Sequence, residues 1–568
     1  MNTTASGASA RLAALGERYF LTQNTYDPYN ATLLGLSEFD HLPGDPSVEA
    51  SEQASADLAA IGADLAGVDP AVLDEQDVVD HGVLSVLVRG AQQEAEHSLW
   101  AGNASAKSYV SRQGLIFQAV PAMTVTDGDS AQRYLDRLAG IGGVLSALGD
   151  RYATEAARGR VPTALGVDHS IRQLEGYLAF GPEKDALLTP ARAAADAVVL
   201  DRASAIVERD VRPAMAALAH RLRTELLPTG RPNDQVGIRF IPGGEEGYVA
   251  AVARHTTTSL TPAEIHQIGL DVLDEMRAEW STVGRRAIGE SDVTAIAERM
   301  RSDTSLRFET SAQIVAMAQA ALDRANGVRR EYYPDYDIPD CVIEEINAVD
   351  AAHTALAYYR PPAVDGSRPG AHCLVASDPH ERFRFEYEAL AFHESVPGHH
   401  MQLALAQTLD IPRYRRYLDV EACSFNEGWG LYSEQFADEI GLYSDDLARL
   451  GMLSFRALRA SRLVIDTGIH HFGWSRERAI EFMWEHTATT RSHVRNEVDR
   501  YIAWPGQALA YMIGCREILR LREQAKDQLG TAFSLVDFHG AVLGSGAVPL
   551  SVLGDNIARW QSGLARQS

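Results

Sequence analysis

Cysteine is scarce in this chain. Among 568 residues there are four, Cys341, Cys373, Cys423 and Cys515, and no two lie close together. That spacing argues against a disulfide framework or a Cys-ligated zinc site and reads as buried thiols. Long apolar runs are missing as well. No stretch approaches the roughly 20 residues that a bilayer-spanning helix needs. Positive charge is the third deficit. Lys and Arg total 52 against 77 Asp and Glu, for a formal net charge of -25, and the basic residues are almost all Arg. General nucleic-acid binding needs basic patches, so it is not expected. The start, MNTTASGASARLAALGERY, lacks a basic segment followed by an apolar block, and no signal peptide is read there. There is no internal repeat and no low-complexity tail. The expectation is a cytoplasmic enzyme with neither nucleic-acid nor membrane partners. Its oligomeric state is open, a homodimer included.

What is present suits a large globular enzyme. Apolar residues make up 46% and charged residues 23%, ordinary values for a chain that buries a core. The length fits two to four average domains or one bilobal enzyme. The first half reads as successive helices. Leu12, Leu15 and Tyr19 mark one apolar face, and Leu58, Ile61 and Leu65 the next. Further helices are expected from about Leu73 to Glu96 and from about Ser130 to Ala157. Ala-rich stretches around 184 to 226 supply two more. None carries a catalytic constellation, so this half reads as a scaffold or lid. The loop chemistry of LLPTGRPNDQ, residues 226 to 235, suggests a boundary, giving an N-terminal helical lobe over 1–230 and a catalytic lobe over 231–568. Beyond it, VGIRFIPGG reads as a strand ending in a turn. Thr261-Pro262-Ala263-Glu264 reads as a helix start with a capping box, followed by helices near 291–302 and 311–333. Residues 335 to 380 are rich in Pro, Gly and short β-type runs such as CVIEEI and HCLVAS. They predict a small sheet of antiparallel hairpins. From about 385 onward the pattern is helical again.

The chemistry concentrates in FHESVPGHHMQ, residues 392 to 402. His393 and Glu394 precede His399 and His400, with Pro397 where an H-E-x-x-H motif would place its second His. Residues seven apart share a helix face and residues six apart do not, so a regular helix pairs His393 with His400. Pro397 disfavours a regular helix, and a kink there returns His399 to the same point. Downstream, FNEGWGLYSEQ carries Glu427 and Glu434, seven apart and hence on one helical face. A helical Glu is an ordinary third ligand for a zinc hydrolase, which keeps a fourth position for water.

The runs HESVPGHH, NEGWGLYSE, DTGIHHFGW and RYIAWPGQALAYMIG, in that order, resemble the bacterial family named for domain of unknown function 885. The resemblance covers at least residues 350 to 515 and, more loosely, most of the chain. That family is similar to helical zinc peptidases of the carboxypeptidase Taq and thimet oligopeptidase types. The resemblance implies a mainly α, bilobal fold with a deep cleft and a small sheet beside the active site. It aligns Gly398-His399 with the Gly-His that ends the peptidase motif, which selects His399 over His400, and it gives Glu434 a supporting role behind a ligand. This sequence departs from those peptidases by the two residues inserted within H-E-x-x-H.

The expected centre is therefore His393, His399 and Glu427 around one zinc, with Glu394 as the general base. Glu497 to Gly514 forms a second block. Tyr511, and after it Tyr501, are candidate donors to a tetrahedral oxyanion. Arg500 is a candidate grip for a substrate carboxylate, and Gln507 and His470 are candidate substrate contacts. Tyr501, Trp504 and Tyr511 read equally well as core aromatics. Tyr358 and Tyr359 are weaker candidates for facing the cleft. The function expected is a zinc-dependent hydrolase of short peptides. Two alternatives stand beside it: a mononuclear non-haem iron enzyme, which uses the same donor set, and a peptide-binding protein on a peptidase scaffold.

Overall fold

In the computed structural model the described residues are 3–107, 110–346, 356–362, 368–416, 418 and 420–565. Three quarters of the described residues are helical, and the class is mainly α, as the periodicity predicts. By its contacts the chain divides into two units. The first comprises 1–251 with 468–478 and 499–505, and the second 252–467, 479–498 and 506–568.

The first unit is built on the helix Gly128–Ala157. Tyr134, Leu138, Ile141, Leu145, Leu148 and Tyr152 recur every three or four residues and are all buried, which is the pattern of a core-facing stripe. Asp127 caps this helix in a reciprocal box with Ser130. Arg137, on the same helix, is wholly buried. Nε of its guanidinium donates to the Asp40 carbonyl and Nη2 to those of Phe39 and Pro28, and the group lies over the Tyr29 ring, which offsets the cost of burying the charge. Helices Thr3–Tyr26 and Val48–Ala66 bury the faces expected of them, Leu12, Leu15 and Tyr19 in one and Leu58, Ile61 and Leu65 in the other. The expected strand at VGIRFI is instead a single 3-10 turn, Ile238–Phe240. The backbone N–H of Ile238 donates to His470 Nδ1 rather than to a neighbouring strand. A Cβ on Gly244 would strike the Ile238 carbonyl, so only glycine lets the chain fold back there.

In the second unit the helix Pro262–Glu275 starts with the capping box read from sequence, Thr261 with Glu264. Helices Val293–Ser302 and Ser311–Tyr332 follow. The small sheet comprises β1 (Cys341–Glu345), β2 (Ala357–Arg360) and β3 (Gly370–Leu374), in the order β1-β3-β2. β2 and β3 are antiparallel, whereas β1 lies parallel to β3 on its other side. The hairpin expectation therefore holds for one of the two pairings. Ala371, Cys373 and Val375 form a small cluster with Ile346. Gly370 and His372 alternate with them and face the other way, where a Cβ on Gly370 would meet His400 Nδ1 and the Tyr359 hydroxyl.

Two further helices of the second unit are Cys423–Glu439 and Ala510–Leu529. They cross at Gly428 and Gly514. A Cβ on Gly428 would lie 2.6 Å from Gly514 Cα, and one on Gly514 would strike the Ser424 carbonyl. Each glycine lowers helix propensity by about 1 kcal/mol relative to Ala, and the close backbone approach is what requires it. Among the described residues no helix is long and apolar enough to cross a membrane.

Candidate metal centre

The helix Tyr387–Glu394 ends at Glu394, and a new helix, His399–Thr408, begins after four intervening residues. Pro397 has no N–H to continue the ladder, and the Val396–Pro397 peptide is cis. Ser395 and Gly398 leave the helical region, with ψ of -123° and -131°. A Cβ on Gly398 would strike the His393 carbonyl. The break is held from the neighbouring helix, where the Trp429 indole N–H donates to the Pro397 carbonyl at 2.9 Å.

This break decides which histidine meets His393. The two rings of His393 and His399 lie edge to face, 4.7 Å apart. Their Nε2 atoms are 3.3 and 3.6 Å from one oxygen of Glu427. One donor atom from each of His393, His399 and Glu427 falls within 4.8 Å of the other two, and among the described residues these three form the one such group. His400 turns elsewhere. Its Nδ1 accepts from the Tyr359 hydroxyl at 3.1 Å and its Nε2 donates to the Pro339 carbonyl at 2.9 Å. Burial holds this imidazole neutral, with a pKa near 4.

The back of each facing imidazole is held by an oxygen. His393 Nδ1 donates to Glu434 Oε1 at 2.7 Å, and Glu434 is buried. His399 Nδ1 meets Gln402 Oε1 in a longer contact of 3.5 Å. Gln402 in turn donates to Asn426 Oδ1 at 2.6 Å, which fixes its amide the right way round. Both rings thus carry a proton on Nδ1 and turn Nε2 toward the same point, the arrangement typical of metal-binding histidines. Burial opposes a charge on His393, but hydrogen bonds to Glu427 and Glu434 outweigh it and raise its pKa to about 10. Glu427 is also penalised by burial, yet its bonds with His393 and His399 hold it well below the usual carboxylate range. A cation is therefore what this cluster draws in, a proton or a metal.

Glu394 ends the first helix directly after a facing histidine and is 9% exposed. Of the second block, Gln507 and Tyr511 belong to this unit. Gln507 is buried and donates to Cys423 Sγ. Tyr511 is half-buried, with the Arg462 guanidinium 4.3 Å from its ring. Arg462 also pairs with Glu497 at 2.7 Å.

Arg500, Tyr501 and His470 belong to the first unit. Tyr501 is wholly buried, and Arg500 lies over its ring at 4.9 Å. His470 is wholly buried too. Its Nδ1 accepts from Ile238 and its Nε2 donates to the Tyr501 carbonyl at 2.9 Å, so both ring nitrogens are engaged by backbone. Desolvation lowers its pKa to about 3.

Three contributors were not singled out from sequence. Trp429 holds the helix break and Gln402 backs His399. Gly430 lets His393 lie against the helix, because a Cβ there would be 2.6 Å from Cε1 and 2.7 Å from Nε2 of that ring. Two glycines inside one helix, at NEGWG, are the signal that could have found the last.

The fold and the site define a mainly helical protein with a centre of two imidazoles and one carboxylate. A family model described as "Bacterial protein of unknown function (DUF885)" matches residues 28–557, and the chain belongs to that family. No curated protein matches it. Among solved structures it is similar to a "putative lipoprotein" from Colwellia psychrerythraea, with 26% identity and a TM-score of 0.88 over 98% of this chain and 99% of that one. It shares its fold with a "putative lipoprotein of unknown function" from Shewanella oneidensis, at 18% identity and a TM-score of 0.75, over 96% and 99% of the two chains.

Proposed function

We propose that this protein is a zinc-dependent hydrolase that cleaves peptide bonds in short peptides. The observation that carries the reading is the convergence of His393, His399 and Glu427 beside the buried Glu394. The donor set fits zinc: two imidazoles that turn Nε2 to one point, each backed by an oxygen, and one carboxylate. A zinc ion bound there supplies Lewis acidity and a lowered pKa for water. Glu394 takes the proton from the attacking water and passes it to the leaving amine as the carbon–nitrogen bond breaks. Glu434 and Gln402 keep the two imidazoles oriented. The likeness of the chain's family to the helical zinc peptidases, as read from the sequence, supports the same reading.

Non-haem iron centres share this donor set. Glu394 favours hydrolysis, because an iron oxygenase has no need of a base next to its ligand.

The test is a library of short peptides, with free and amidated C-termini in parallel, incubated with zinc-loaded protein and read by mass spectrometry. The parent is expected to cleave some of them. Glu394→Gln is expected to retain zinc and lose turnover by roughly 10²–10⁴-fold. Equal cleavage by parent and variant would remove Glu394 from the mechanism, and no cleavage of any peptide would overturn the proposal.

A further inference from the structure

We infer that Arg459 is a positioning residue of the metal centre, acting on His393 through Glu434. The inference rests on the zinc reading above and adds a layer that no motif indicates.

Arg459 lies on the helix Asp446–His470 and is 7% exposed. Its Nη2 is 3.4 Å from Glu434 Oε1, the same oxygen that accepts from His393 Nδ1 at 2.7 Å. Glu434 is 1% exposed, and its second oxygen has no hydrogen-bond partner among the described residues. A buried carboxylate held on one oxygen is free to rotate unless another group fixes it, and leaving it without a cation is expensive. Arg459 is the one guanidinium paired with it among the described residues. Arg459 is itself braced, with its guanidinium 4.7 Å from the centre of the Phe455 ring. A planar, stacked guanidinium holds a direction that a flexible ammonium does not.

The helix of Arg459 also packs against the segment just ahead of the helix that carries His393. The packing there is close. A Cβ on Gly451, two helical turns before Arg459, would strike the Phe385 carbonyl.

A double-mutant cycle tests this. Zinc affinity is measured by competition with a chelator for the parent, Arg459→Met, Glu434→Gln and the double variant, with Arg459→Lys as the conservative exchange. Cobalt(II) serves as a spectroscopic probe of ligand geometry. Arg459→Met is expected to weaken zinc at least tenfold, in the range of lost outer partners, and to alter the cobalt spectrum. Arg459→Lys is expected to recover part of the affinity. In the Glu434→Gln background, where no buried charge is stranded, Arg459→Met is expected to change affinity less than threefold. Parent affinity in Arg459→Met, or the same fold-loss in both backgrounds, would overturn the inference while leaving the zinc centre standing. A parent that binds no metal would remove both.

Discussion

Gly430→Ala isolates the geometry of the centre from the stability of the fold. Inside a helix, replacing Gly by Ala ordinarily stabilises by about 0.5–1 kcal/mol. At position 430 the new Cβ would lie 2.6 Å from His393 Cε1 and 2.7 Å from Nε2, against roughly 3.5–4.0 Å for an ordinary carbon contact. The ring must therefore retreat by about 1 Å. It cannot do so freely, because its other nitrogen is bonded to Glu434 at 2.7 Å. Overpacking of this kind costs about 1–3 kcal/mol, so the propensity gain offsets part of the loss and the fold survives. The nitrogen that faces Glu427 does not keep its place, and zinc affinity is expected to fall by roughly 10–100-fold. Gly327→Ala is the control. It lies in the helix Ser311–Tyr332 with nothing within 4 Å of its prospective Cβ, and is expected to gain stability and leave zinc binding unchanged. The assays are urea unfolding and chelator competition. Parent-like zinc affinity in Gly430→Ala would refute the reasoning.

Trp429→Phe keeps a ring in the core but removes the donor to the Pro397 carbonyl. It is expected to cost about 1–3 kcal/mol of stability and to weaken zinc binding, measured by the same two assays; no change in either would show that the break between His393 and His399 holds itself. The acid limb of stability follows from buried neutral histidines. Burial lowers His372 and His470 to about 3 and His539 to about 4, so the unfolded chain binds more protons below about pH 6.5. Stability is expected to fall as pH drops from 6.5 toward 4, each histidine contributing about 1.4 kcal/mol per pH unit. Glu386 acts in the opposite sense: burial raises it to about 8, and its contribution, complete below its unfolded value, is lost as pH rises from about 4.5 to 8. Three histidines outweigh one glutamate, so urea midpoints should peak near pH 6.5 and decline on both sides. A midpoint flat between pH 4.5 and 6.5 would contradict this.

Much of the helical scaffold was legible because it rests on local periodicity. The apolar spacing at Leu12, Leu15 and Tyr19 and the capping signals at Thr261 and Glu264 reappear as a buried face and a capping box. VGIRFI was misread because its apolar run resembles a strand, while its backbone donor is taken by His470, a residue more than two hundred positions away. The parallel pairing of β1 with β3 was hidden for a similar reason: composition marks strands but not their partners. The returns of 468–478 and 499–505 to the first unit have no local signature either. At the centre, spacing alone left His399 and His400 open. The structure turns His399 toward Glu427 because of the break at Ser395–Gly398, and engages both nitrogens of His400 elsewhere. Glu427 and Glu434 were legible as one helical face. Arg459 was not, since nothing in its own neighbourhood marks a residue that acts through the side chain of another helix.

The measurement that bears most directly on the zinc reading is a crystal structure of the zinc-soaked protein, with the metal located by its anomalous scattering. The account predicts one zinc per chain, with Nε2 of His393, Nε2 of His399 and a carboxylate oxygen of Glu427 at about 2.0–2.2 Å, Glu394 beside the metal without ligating it, and His400 still bonded to Tyr359. Zinc ligated by His400 in place of His399, or no zinc at this site, would contradict it.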